Sequence, residues 1–75
     1  MLATNFHQLR IFHTVARLGS FSKAARELEI SQPAVSIQVK ALEESMEGAL
    51  LNRAPGGARL TDTGHAVFEY ARRIF

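Results

Sequence analysis

Apolar residues recur with a period near 3.6 over four stretches of the chain, and the same few residue types interrupt the rhythm each time. Phe6, Leu9, Phe12 and Ala16, with Val15 beside them, give the pattern of an amphipathic helix that Gly19 ends. Ser20 and Ser22 are both good N-cap residues. Phe21, Ala24, Ala25 and Leu28 follow at i, i+3, i+4 and i+7, predicting a short second helix whose alanines let a neighbour approach closely.

In the stretch EISQPAVSIQVK, residues 29–40, a proline sits inside the next periodic run. Proline in a helix interior costs ~3 kcal/mol or more, but in the first turn it costs little, because those N–H groups have no intrahelical partner. Pro33 therefore marks a helix start, with Ser31 as its cap. Val35, Val39, Leu42 and Met46 supply the core side of a third helix running from about Gln32 to Met46 or Glu47, with Gly48 just past its end. The segment LLNRAPGGARLT holds two short β-compatible runs around Ala54-Pro55-Gly56-Gly57, which predicts a tight turn and a small hairpin. Thr61 caps a last helix, DTGHAVFEYARRIF, striped by Gly64, Val67, Phe68, Ala71, Ile74 and Phe75. That stripe runs to the final residue, so the chain is expected to be a piece of something longer.

Seventy-five residues, 47% of them apolar, make one small domain with a single core. A buried pocket with a scaffold around it does not fit, which argues against a complex enzyme. The absence of cysteine removes disulfides and thiolate metal sites. Near the N-terminus Asn5, His7, Gln8, Arg10 and His13 break every apolar run, so neither a signal peptide nor a membrane span is present, and a cytoplasmic protein without a membrane partner is expected. His7, His13 and His65 lack ligand spacing, and His7 and His13 fall on different faces of their helix. No phosphate-cradling loop surrounds Gly56 and Gly57, and no serine, histidine and aspartate arrangement has an orienting context. No metal, cofactor or catalysis is expected.

Charge narrows the choice further. The net charge is only +2, but the sequence pI is about 9.7. Lys23, Arg26, Lys40, Arg53 and Arg59 occupy the middle of the chain, while Glu43, Glu44 and Glu47 cluster after Lys40. This suggests one basic side and one acidic end, against the plainer reading of scattered solvating charge.

Two short helices joined by Glu29, Ile30 and Ser31 match a helix-turn-helix, whose second helix lies in the DNA major groove. At 100° per residue the core stripe of the third helix leaves Pro33, Ser36, Ile37, Lys40 and Glu44 on the opposite side. Gln32 can pair with adenine, Ser36 with a base or a phosphate, and Lys40 with a phosphate; plain helix-start polarity is the alternative for Gln32 and Ser36. Ile37 is either an ordinary exposed apolar residue or a contact for a thymine methyl group. Arg53 and Arg59 flank the hairpin turn at a spacing that lets both reach a DNA backbone or a narrow minor groove, unless the hairpin is only a solvated turn. The rival class is a protein-assembly module built on the last helix, whose apolar stripe exceeds what a small core needs.

The run GSFSKAARELEISQPAVSIQVKALEE, the LLNR segment and the LTDTG helix start together resemble the N-terminal domain of LysR-type bacterial transcriptional regulators, over essentially the whole chain. The resemblance implies a mainly α winged helix-turn-helix: a three-helix core, a short two-stranded β wing at 50–61 and a C-terminal linker helix. On that division residues 1–61 form the DNA-binding domain and 62–75 begin the linker and dimerisation helix. It further implies sequence-specific binding of double-stranded operator DNA by a homodimer paired through Val67, Phe68, Ala71, Ile74 and Phe75, with a tetramer open to the full-length protein. Base or groove contacts would fall to Gln32, Pro33, Ala34, Ser36 and Ile37, and backbone contacts to Ser22, Lys23, Ser31, Lys40 and Arg53. Family members continue into a larger domain that senses a small effector, which these residues do not include. Three departures stand out: Ile37 where arginine is frequent, Leu51 for the usual phenylalanine before the wing, and the helix-ending glycine one position late, as Glu47 then Gly48.

Overall fold

The computed structural model describes residues 5–55 and 57–75. Four helices and one hairpin follow in the order α1 (Phe6–Leu18), α2 (Phe21–Leu28), α3 (Gln32–Met46), β1 (Leu51–Ala54), β2 (Gly57–Leu60) and α4 (Asp62–Ile74). Each helix begins on a side chain that accepts a backbone N–H left free by the first turn. Asn5 Oδ1 takes those of His7 and Gln8, Ser20 that of Lys23, Ser31 that of Ala34 and Thr61 that of Gly64. Asn5, a cap the apolar pattern does not reveal, starts α1. Gly19 ends it in the left-handed conformation, as expected.

The end of α3 differs from expectation. The left-handed position belongs to Glu47, at φ 57°, and not to Gly48, so a residue with a Cβ occupies a conformation that favours glycine. Glu29 does the same at the end of α2, at φ 59°.

The core is built by Leu9, Ile11, Phe12 and Val15 of α1, Phe21, Ala24 and Ala25 of α2, Val35, Val39 and Leu42 of α3, Leu50 and Leu51 at the wing, and Ala71 of α4. Three assignments change. Phe6, the first residue of α1, is 61% exposed, and Met46 is 38% exposed, one turn beyond Leu42, the last buried residue of α3. Ile11, outside the expected stripe, is fully buried. Helix α1 touches α2, α3, α4 and β2, so its apolar arc must be wider than that of a surface helix. Even the buried Thr14 is satisfied, donating to the Arg10 carbonyl at 2.9 Å.

Strands β1 and β2 are antiparallel, with Leu51 opposite Leu60, Asn52 opposite Arg59, Arg53 opposite Ala58 and Ala54 opposite Gly57. This is the expected tight hairpin; Gly56 in its turn lies outside the described residues. Backbone carbonyls hold the wing both to the body and closed at its own base. Ala58 N–H donates to the Gly19 carbonyl at 2.9 Å, Thr61 N–H to that of Leu50 at 3.0 Å, and Thr61 Oγ1 to that of Ala49 at 2.7 Å. Two glycines permit this closeness: a Cβ at Gly57 would stand 2.2 Å from the Gly19 oxygen, and one at Gly64 would stand 2.0 Å from the Leu50 oxygen. Leu51 is buried, so the smaller side chain still anchors the wing.

Candidate nucleic-acid interface

The amino-terminal half of α3 faces solvent. Ser31, Pro33 and Lys40 are exposed, Ile37 is 65% exposed, and Gln32, Ala34 and Ser36 are half-buried. The cause is the three-residue link from α2, which lays α3 across the core on Val35, Val39 and Leu42 and leaves the opposite side uncovered. Ser22 and Lys23 are exposed in the first turn of α2. A hollow of about 410 Å³ brings Ser22, Gln32 and Arg53 together with Ser20, Phe21, Ala54 and Gly57. A second, of about 490 Å³, joins Ser36, Lys40 and Arg53 to Phe21, Val39 and Leu51, with Glu43, Glu44 and Glu47 beyond.

Arg53 stands between the two hollows. It donates from Nη2 to Ser36 Oγ, and its guanidinium carbon lies 3.9 Å from the centroid of the Phe21 ring. Arg59 is placed differently. Because Arg53 pairs with Ala58 and Arg59 with Asn52, consecutive pairs in the ladder, the two arginines point to opposite faces of the wing. The spacing across the turn does not reveal this difference of face; the parity of the hairpin, counted from its turn, carries the signal. The acidic end is also less separate than its place in the sequence suggests. Glu43, Glu44 and Glu47 border the same hollow as Lys40 and Arg53, and Glu43 Oε2 accepts the N–H groups of Leu50 at 2.7 Å and Leu51 at 3.1 Å.

The last helix divides its stripe between two uses. Ala71 is fully buried against the core and has no surface left for a partner, which overturns its assignment to an interface between chains. Val67 and Phe68 are half-buried against the same core. Phe68 stacks on His13 of α1, with centroids 5.0 Å apart and rings within 10° of parallel, and Phe75 lies 5.7 Å from His13. Burial, with Arg17 nearby, lowers the His13 pKa from its ordinary 6.5. Exposed apolar surface remains at Tyr70, Ile74 and Phe75. No group of histidines and carboxylates able to hold a metal ion occurs among the described residues, and no helix among them is long and apolar enough to cross a membrane.

The profile of the family described as "Bacterial regulatory helix-turn-helix protein, lysR family" matches residues 6–65, from the start of α1 into α4. The chain belongs to the LysR family. The matched segment is that family's DNA-binding winged helix-turn-helix domain, a module of transcription regulators and not an enzyme. The LysR relatives include a "Probable RuBisCO transcriptional regulator" of Cyanidioschyzon merolae, 49% identical over 67 residues covering 89% of this chain and 22% of that protein. Another is the "HTH-type transcriptional regulator CfxR" of Cupriavidus necator, 49% identical over 72 residues, 96% of this chain and 23% of that one. The chain thus spans under a quarter of the length of these LysR relatives. The crystal structure of a CbnR DBD–DNA complex superimposes with a TM-score of 0.89 at 44% identity, over 95% of this chain and 82% of that one.

Proposed function

We propose that this domain recognises operator DNA sequence-specifically, with the amino end of α3 in the major groove and the wing against the backbone or minor groove. One observation carries the reading: the exposed Pro33 and Ile37 continue into the exposed Lys40 on one side of α3, with the Arg53 guanidinium beside them at Ser36. Gln32, Pro33, Ala34 and Ile37 face the bases on this account. Ser22, Lys23, Ser31, Lys40 and Arg53 contact phosphates, while Arg59, on the far face of the wing, reaches only a flanking segment of backbone. Residues 1–61 form the DNA-binding unit and 62–75 begin a linker helix through which two chains pair, using Tyr70, Ile74 and Phe75, the part of α4 the core leaves open. The dimer reads half-sites on one face of the duplex, roughly 10 base pairs or a multiple apart. The full regulator works in the cytoplasm, where a domain outside these residues senses a small effector.

Selection of bound sequences from a random DNA pool tests this. Recovery of two related half-sites at helical spacing is the expected result; an unenriched pool refutes sequence-specific reading. With ~4 to 6 phosphates neutralised per domain, affinity for the selected sites falls steeply as salt rises. Gln32→Ala changes the order of preference among operator variants, and unchanged ranking overturns its base-reading role.

A further inference from the structure

Arg53 is held by two side chains from two different helices. Phe21, the first residue of α2, presents its ring 3.9 Å beneath the guanidinium carbon, and Ser36 of α3 accepts a hydrogen bond from Nη2. A leucine would fill the core below Phe21 as well, but only an aromatic face attracts a cation above it. Unrestrained, an arginine spreads its head group over many rotamers, and binding a phosphate must collapse that spread. With its plane fixed by a ring and one N–H already directed, it keeps its remaining donors for a phosphate and loses less freedom on binding. The position is exposed on both sides, since the hollows of about 490 and 410 Å³ are both lined by Phe21 and Arg53.

We propose that Phe21 is a positioning residue for DNA binding: it touches no DNA, and with Ser36 it holds the Arg53 guanidinium in the orientation in which the wing meets a backbone phosphate. Ser36 then acts through Arg53 and not as a reader of bases, which revises the role its sequence position suggests. This rests on the reading of Arg53 as a DNA contact.

A double-mutant cycle decides it, using fluorescence anisotropy of the 75-residue chain with a mixed-sequence DNA duplex at several salt concentrations. Arg53→Ala weakens binding and lowers the salt slope by about 1. Phe21→Leu weakens binding about three- to ten-fold while Arg53 is present, the size expected of a partly desolvated cation–π contact, and has no further effect in the Arg53→Ala background. Equal losses in both backgrounds make Phe21 merely structural and overturn the proposal. If Arg53→Ala leaves affinity and salt slope unchanged, the wing contact itself is refuted, a different failure. Phe21→Met replaces Phe21→Leu should the leucine variant lose its far-UV helical signal. A parallel cycle with Ser36→Ala leaves the core intact; a loss confined to chains with Arg53 supports the shared role, and one that persists without Arg53 returns Ser36 to direct DNA contact.

Discussion

The Glu43 carboxylate reaches back from the end of α3 to accept the Leu50 N–H at 2.7 Å, and the same oxygen takes the Leu51 N–H at 3.1 Å. One side chain of α3 thereby fixes where the wing begins. Glu43→Ala leaves two part-buried N–H groups unpaired and destabilises the fold by about 1 to 3 kcal/mol. Glu43→Gln retains an acceptor oxygen and recovers part of that loss. Urea unfolding of both variants measures the difference; if the alanine variant matches the parent, the bond does not matter.

Gly64 lets α4 start against the wing. Since its Cβ would meet the Leu50 oxygen at 2.0 Å, Gly64→Ala forces backbone apart and costs at least about 2 kcal/mol. Its folding midpoint in urea should fall well below that of Ala66→Gly, an exposed site on the same helix where only propensity is at stake, about 1 kcal/mol.

At the end of α3, Glu47→Gly should raise stability. The left-handed conformation costs a residue with a Cβ about 1 to 2 kcal/mol, and glycine's extra freedom when unfolded returns about 0.4 to 1 of that. Removing a negative charge from a helix C-terminus adds a little more. A melting temperature raised by a few degrees is the expected result, and no rise counts against the strain at Glu47.

His13 makes stability depend on pH. Its pKa is lowered in the folded state, by burial first and Arg17 second, so between the folded value and the ordinary 6.5 the unfolded chain binds more protons. The stability from neutral His13 is thus complete above 6.5 and is lost as pH falls through the lowered folded value. The wild type should melt lower at about pH 5 than at about pH 7.5, and His13→Gln should shrink that difference. An unchanged difference assigns the effect to other groups.

Ile37 is 65% exposed on the face assigned to the groove. Ile37→Ala should leave unfolding free energy within about 0.5 kcal/mol of the parent. In competition binding it should lose preference for sites with thymine at one position. Lys40→Ala should weaken all sequences alike and reduce the salt slope by about 1.

Local chemistry made much of this legible. Pro33 and Ser31 marked the start of α3, Thr61 marked that of α4, Ser20 and Ser22 bracketed that of α2, where Ser20 proves to be the cap, and the Ala54–Gly57 segment marked the wing, because caps, proline and glycine act on backbone groups within a few residues of themselves. The exposed side of α3 followed from period alone, since Val35, Val39 and Leu42 determine which face is turned inward. What the pattern could not supply was depth and partnership. Phe6 and Met46 continue their stripes but, as terminal residues of α1 and α3, stay exposed, whereas Ile11 is buried because α1 is enclosed from several directions. Ala71 serves this chain's own core, and Glu43 binds the wing's backbone instead of merely solvating a helix end. Phe21, Ser36 and Arg53 lie far apart along the chain and meet only when α2, α3 and the wing are packed together. Sequence period fixes the direction a side chain takes from its own backbone; what waits there is decided by elements distant in the chain, and only their packing reveals it.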